Sequence, residues 1–180
     1  MPAVTLYRFK IDLSDLDRNV YEALDFRVAQ HPSETVDYLL TRVLAYALNW
    51  QEGLEFSAAG LHEAEEPAIK LAGKHGTLAL TIEIGNPSGR RLHKNSKAAD
   101  ALKVYTYKDP NAFLREISSF GPVHKAAEIE AYAVDSKFLS RLSEGLERDN
   151  KWSLLVQEGQ LTLSLGDHSE VTELKRISLV

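Results

Sequence analysis

The sequence predicts an α+β fold in one domain. Three observations carry this: period-2 patterning at both ends, one strongly helical stretch near residue 40, and the order helix, strand, strand, strand, helix, strand between them. The chain has 180 residues, enough to bury one sizeable core. Hydrophobic residues make up 44% and charged residues 26%, a globular composition.

The first strand signal is VTLYRFKIDL. Tyr7, Phe9, Ile11 and Leu13 fall on one face, and Arg8, Lys10 and Asp12 on the other. SDLDRN supplies turn residues, and YEALDFRVAQ alternates again through Leu24, Phe26 and Val28, so a hairpin is expected. HPSETVDYLLTRVLAYALNW changes period: Val36, Leu39, Leu40, Val43, Leu44, Ala47 and Leu48 recur at helical spacing. The helix is expected over 33–50. Ser33 is its N-cap candidate, with Glu34 and Asp37 near the positive end of the helix dipole.

Strands follow near 54–60, 68–72 and 77–84, with an acidic loop, LHEAEEP, after the first and a tight KHG turn before the last. TLALTIEIG is apolar at nearly every position, which marks a central strand covered on both faces. A basic helix near 88–100 and a strand near 102–108 complete the middle of the chain. PNAFLREISSF reads as a helix opened by Pro110. AEIEAYAVD reads as a strand and SKFLSRLSEGLERD as a helix. KWSLLVQEGQLTLSLG reads as a hairpin turning at Glu158-Gly159, and VTELKRISLV as an edge strand. No repeat, linker or low-complexity tract divides residues 1–180, so one domain around a mixed sheet is expected.

The net charge of −5 argues against avid, charge-driven grip on nucleic acid by the whole surface, although a local basic patch remains compatible with it. With no cysteine, thiolate chemistry, disulfides and Cys-based zinc sites are excluded. The first residues lack the apolar core of a secretory signal, and no stretch approaches the length that spans a bilayer. A soluble protein of the cytoplasm is the expectation, with no membrane partner and no organic cofactor.

The α-β-β-β-α-β order resembles the core of the PD-(D/E)XK nuclease superfamily. There, acids on the second and third strands hold a divalent metal and a nearby lysine helps activate water. Mg²⁺ or Mn²⁺ takes hard oxygen ligands and polarises a phosphodiester. The candidate acids here are Glu66 and Glu83, 17 residues apart, with Glu34 as a third oxygen donor. The position two after Glu83 is Gly85 where that motif has lysine. Arg91 or Lys94, just downstream, are the candidates to replace it. The plain alternative is that Glu66 is a loop acid and Glu83 caps a strand end.

Longer stretches resemble one family of small bacterial proteins, the YaeQ family: LYRFKIDLSDLDRN, HPSET, EEPAIKL and IEIGNPSGRRLHKNSK, in order over almost the whole chain. The resemblance implies a restriction-endonuclease-like fold, an α/β roll with an αβββαβ core and added N- and C-terminal strands. It also implies a modified PD-(D/E)XK constellation in a cavity. The family's shared polar positions fall on Asp17, Arg18, His31, Ser33, Glu34, Glu66, Pro67, Glu83, Gly85, Pro87, Arg91 and Lys94. Glu65 fills the acid position before Glu-Pro. Large aromatics usual after Glu-Pro and before the IE pair are replaced by Ile69 or Leu71 and by Thr81.

Two readings stay open. In one, a metal-dependent nuclease or phosphodiesterase uses Glu66, Glu83, Arg91 and Lys94 in catalysis and Glu34, Glu66 and Glu83 for metal, with His31, Ser33, Arg90 and Lys97 on the substrate. In the other, a non-catalytic regulatory protein binds nucleic acid or a protein partner on a nuclease-like scaffold. A third reading makes the carboxylates and Arg91 a buried ion network that fixes the fold. Tyr105 and Tyr107 share a strand face and read as core packing. Oligomeric state is not encoded in any of these signals.

Overall fold

The structure is a computed structural model that describes residues 4–57 and 66–180. It is α+β, with two mixed sheets and four α-helices among the described residues. The chain packs as two compact units. The first is built from residues 1–48 and 134–174, and the second from 49–133 and 175–180. The single mixed sheet expected from the sequence is therefore two sheets, because the two ends of the chain pair with each other.

In the first unit, β1 (Thr5–Asp15) and β2 (Val20–Gln30) form the expected hairpin, with Phe9 opposite Phe26 and Ile11 opposite Leu24. β1 also runs parallel to β8 (Asp149–Gln157), and the β8–β9 hairpin extends through β9 (Gln160–Leu165) to β10 (His168–Glu173). The sheet order is β10-β9-β8-β1-β2. Phe9, Ile11 and Leu13 are buried alongside Trp152, Leu154 and Val156. Phe9 meets the Trp152 ring edge-on at 4.9 Å. Helix α1 (Val36–Leu48) reaches the same face, with Tyr46 4.8 Å from Phe26. α4 (Ser136–Glu144) starts at Asp135, whose side chain accepts from Lys137 N.

The α1 helix is shorter than expected. Thr35, not Ser33, caps it: Thr35 Oγ1 accepts from Tyr38 N at 3.1 Å, and Thr35 O takes the first helical bond from Leu39 N. Ser33 is instead turned back onto His31, whose Nδ1 lies 2.6 Å from Ser33 Oγ. The ring competes for the Ser33 hydroxyl, and the hydroxyl of Thr35, two residues on, takes over the cap.

In the second unit the sheet order is β11-β7-β6-β5-β4-β3. β3 is Glu55–Phe56 and β4 is Ile69–Ala72; residues 58–60 of the expected 54–60 strand and most of the acidic loop lie outside the described residues. β5 (Leu78–Ile84) is central, antiparallel to β4 and parallel to β6 (Ala99–Thr106). β7 (Glu130–Ala133) adds in parallel, and β11 (Lys175–Ile177) closes the edge. Helices α2 (Gly89–Ala98) and α3 (Pro110–Phe120) cover one face of this sheet. Leu92, Phe113 and Ile117 pack there with Leu102, Val104, Ala131 and Ile177. The basic helix stops at Ala98, and β6 begins at once, three residues before the expected strand. The segment read as one terminal edge strand is two strands, one on each sheet. No helix of the described residues is long and apolar enough to cross a membrane.

Candidate functional site

Glu83 is the penultimate residue of β5, and its side chain is on the helix-covered face with Thr81. It is 4% exposed. A bare carboxylate there would be strongly disfavoured, and two residues of α2 answer it. Arg91 Nε donates to Glu83 Oε2 at 2.9 Å, and Asn95 Nδ2 donates to Oε1 at 2.7 Å. Arg91 and Asn95 are four apart, so one helix face presents both. Burial nevertheless raises the Glu83 pKa above the ordinary carboxylate value; Arg91 and Asn95 pull it down without cancelling that effect. A second guanidinium nitrogen, Nη2, donates to Glu66 O at 2.6 Å. Arg91 thus ties the end of β5 to the segment that leads into β4.

Helix α2 is placed from outside itself. Ser88 Oγ accepts from Arg91 N at 3.1 Å as its N-cap, and Gly89 N donates to Glu116 Oε2 of α3 at 2.7 Å. Gly89 also lies against Phe120, so closely that an added Cβ would fall 2.4 Å from Phe120 Cβ. With Arg91, Leu92, Asn95 and Ser96 turned inward, Arg90, Lys94 and Lys97 are exposed at i, i+4 and i+7. They form one cationic stripe.

Glu66, Glu83 and Arg91 are therefore brought together, but Glu66 joins through its backbone carbonyl. Its carboxylate pairs with Lys70 at 3.1 Å. Lys94 is on the exposed stripe. Glu34, His31 and Ser33 belong to the first unit. There Glu34 is 1% exposed at its side chain and pairs with Arg42 Nη2 at 3.0 Å, and Arg42 also donates to Ala29 O at 2.7 Å. Asp17 is a turn clamp: its two carboxylate oxygens accept from Glu158 N at 2.7 Å and Gly159 N at 3.0 Å. Arg18 pairs with Asp15 at 2.7 Å. Tyr105 is buried, stacked on Tyr132 at 5.2 Å, and its hydroxyl accepts from Asn49. Glu65 lies outside the described residues.

The described donor set does not fit a divalent metal. Both Glu83 oxygens already accept from side-chain donors, and a guanidinium stands against one of them. Glu66 turns its carboxylate to Lys70. Among the described residues, no group of three or more His, Asp or Glu side chains could hold a metal ion. Gly85 has φ +92, a conformation that strains any side chain, so lysine is disfavoured at that position by the backbone itself.

Asn95, Lys70 and Arg42 were not singled out in the sequence. Each carried a faint signal: Asn95 is one helical turn beyond Arg91, Lys70 alternates with apolar neighbours in a strand, and Arg42 interrupts an apolar helix and so needs a buried partner.

A model of the YaeQ protein family matches residues 2–174. The chain belongs to the YaeQ family. That match runs through both compact units. The uncharacterised YaeQ proteins of Escherichia coli (strain K12) and Salmonella typhi are each 29% identical over 160 residues, spanning 89% of this chain and 88% of theirs. The crystal structure of the YaeQ protein from Pseudomonas syringae superposes with a TM-score of 0.88 at 28% identity, covering 97% of this chain and 96% of that one. The YaeQ protein from Xanthomonas axonopodis pv. citri has the same fold, with a TM-score of 0.88 at 24% identity and coverage of 97% and 98%.

Proposed function

We propose that this protein binds nucleic acid without cleaving it, on a restriction-endonuclease-like scaffold. The observed element order from α1 to β6 supports the scaffold reading, since it repeats helix, three strands, helix, strand. The observation that carries the functional reading is the division of labour on α2. Its inward face spends Arg91 and Asn95 on Glu83, while its outward face presents Arg90, Lys94 and Lys97. A carboxylate already held by a guanidinium is poorly suited to take a metal. Three cations in a row on an exposed helix suit phosphates, each of which adds affinity by releasing counterions.

Fluorescence anisotropy with labelled short oligonucleotides, read across a salt series, tests this. Binding is expected at low salt. The triple variant R90A/K94A/K97A should weaken it by about tenfold or more and flatten the log–log salt slope by about 2–3. Incubation of the same oligonucleotides with Mg²⁺ or Mn²⁺ should give no product. Metal-dependent cleavage that disappears in Glu83→Gln would overturn the proposal in favour of a phosphodiesterase, with Glu66 and Glu83 as its acids.

A further inference from the structure

One face of α2 remains beside the cationic stripe, and it is aromatic. Phe120 is 41% exposed, unusual for so large an apolar ring. It is not loose. Its Cβ rests on the bare backbone of Gly89, a contact that only glycine permits. The His93 ring, one helical turn along, is 5.8 Å from Phe120, and His124 stands edge-on to His93 at 6.3 Å. His124 N donates to His93 Nδ1 at 3.0 Å, which fixes the ring's orientation and puts its proton on Nε2. Residues 89 and 93 are each one position before a residue of the stripe. The two faces are therefore adjacent, about 100° apart around the helix. Lys125, exposed beside His124, adds a further cation, while Glu116 is engaged by Gly89 N.

A held, exposed aromatic next to a row of cations has a defined chemical complement: a polyanion with accessible flat faces. Duplex nucleic acid offers the phosphates but hides its base faces in the stack. A single strand offers both. An acidic protein surface offers charge, but its rings do not repeat beside each charge as bases repeat beside phosphates. We infer that the α2 stripe takes single-stranded DNA or RNA, with phosphates along Arg90, Lys94 and Lys97 and an unpaired base stacked on Phe120 beside His93. This rests on the nucleic-acid reading above and narrows it to one class.

The test compares a labelled single strand with its duplex, using the wild-type chain, F120L and R90A/K94A/K97A. F120L keeps apolar bulk against Gly89 but removes the ring. The single strand should bind more tightly than the duplex. F120L should weaken the single strand about fivefold or more and leave the duplex unchanged, while the triple variant weakens both. F120W gives a second readout that does not depend on F120L folding: relative to wild type, its added fluorescence should be quenched by the single strand and not by the duplex. Equal affinity for the two forms, or unquenched F120W with single strand bound, overturns this inference and leaves the charge-based reading standing. No binding of either form overturns both, and points the stripe toward an acidic protein surface.

Discussion

Glu83 sits in a balance between burial and its partners. Its side chain is 5% exposed and that of Arg91 25%, so removing the guanidinium leaves a carboxylate with one neutral donor and little water. Arg91→Ala is expected to destabilise the fold by roughly 2–3 kcal/mol, read by chemical denaturation at neutral pH. The pH dependence follows from the sign of the shift. Glu83 titrates higher in the folded state than in the unfolded chain, so the folded state holds its proton more tightly. Stability from this group is then greatest at low pH. It falls as pH rises from the ordinary carboxylate range through the raised folded value. Arg91→Ala should deepen that fall, so the loss measured at pH 8 should exceed the loss at pH 5; equal losses would show that Glu83 is not desolvated. Gly85 gives a second residue-level expectation. Lysine placed at φ +92 should lower stability by about 1–2 kcal/mol and should not create metal-dependent cleavage.

Helix α2 depends on what meets its first turn. Gly89→Ala puts a methyl carbon 2.4 Å from Phe120 Cβ, part of the side chain that cannot rotate away, so the helix or the end of α3 must shift. Overpacking of this kind costs about 1–3 kcal/mol, and a lowered melting temperature together with weaker oligonucleotide binding is the expected result. The β8–β9 turn has a comparable dependence on Asp17, which holds the amides of Glu158 and Gly159. Asp17→Ala should lose about 1 kcal/mol, measured by denaturation. These elements also show what could be read from the chain alone. The N-terminal hairpin, α1, β5, α3 and the Glu158-Gly159 turn were legible, because each is set by local periodicity or by a turn residue. The Arg91–Glu83 pairing was legible as a candidate, since an acid ending a buried strand demands a partner. The Ser33 cap was not, because Ser33 and Thr35 both offer a hydroxyl near the helix start and a ring nitrogen of His31 decides between them. The clamp of Phe120 on Gly89 brings together residues far apart in sequence and leaves no pattern to find.

At the scale of the whole molecule, the ends of the chain do the organising. Arg8 pairs in register with Asp149 and Asp15 with Val156, so the first sheet closes only after most of the chain exists. Period 2 identifies β1 and β8 as strands but carries no information about which strand lies beside which. That is why two sheets read as one. The last residues then serve both units: β10 ends the first sheet, and two residues after β10 ends, β11 begins on the second. Among the described residues β11 pairs with β7 alone, through Lys175, Arg176 and Ile177 opposite Ala133, Tyr132 and Ala131. Ile177 is buried in the cluster with Ile129, Val104 and Phe113, and Leu179 packs against it. Arg176 lies over the Tyr132 ring at 5.3 Å and reaches Glu130 at 3.4 Å. Removing residues 175–180 therefore strips an edge strand and two apolar side chains from one sheet only. Burial of an isoleucine and part of a leucine is worth about 2–4 kcal/mol, and the loss falls on the second unit. Hydrogen exchange should then show faster exchange at β7 and β6, while β1 and β8 keep their protection. Uniform loss of protection across both sheets would instead mean that the two units open together as one cooperative body.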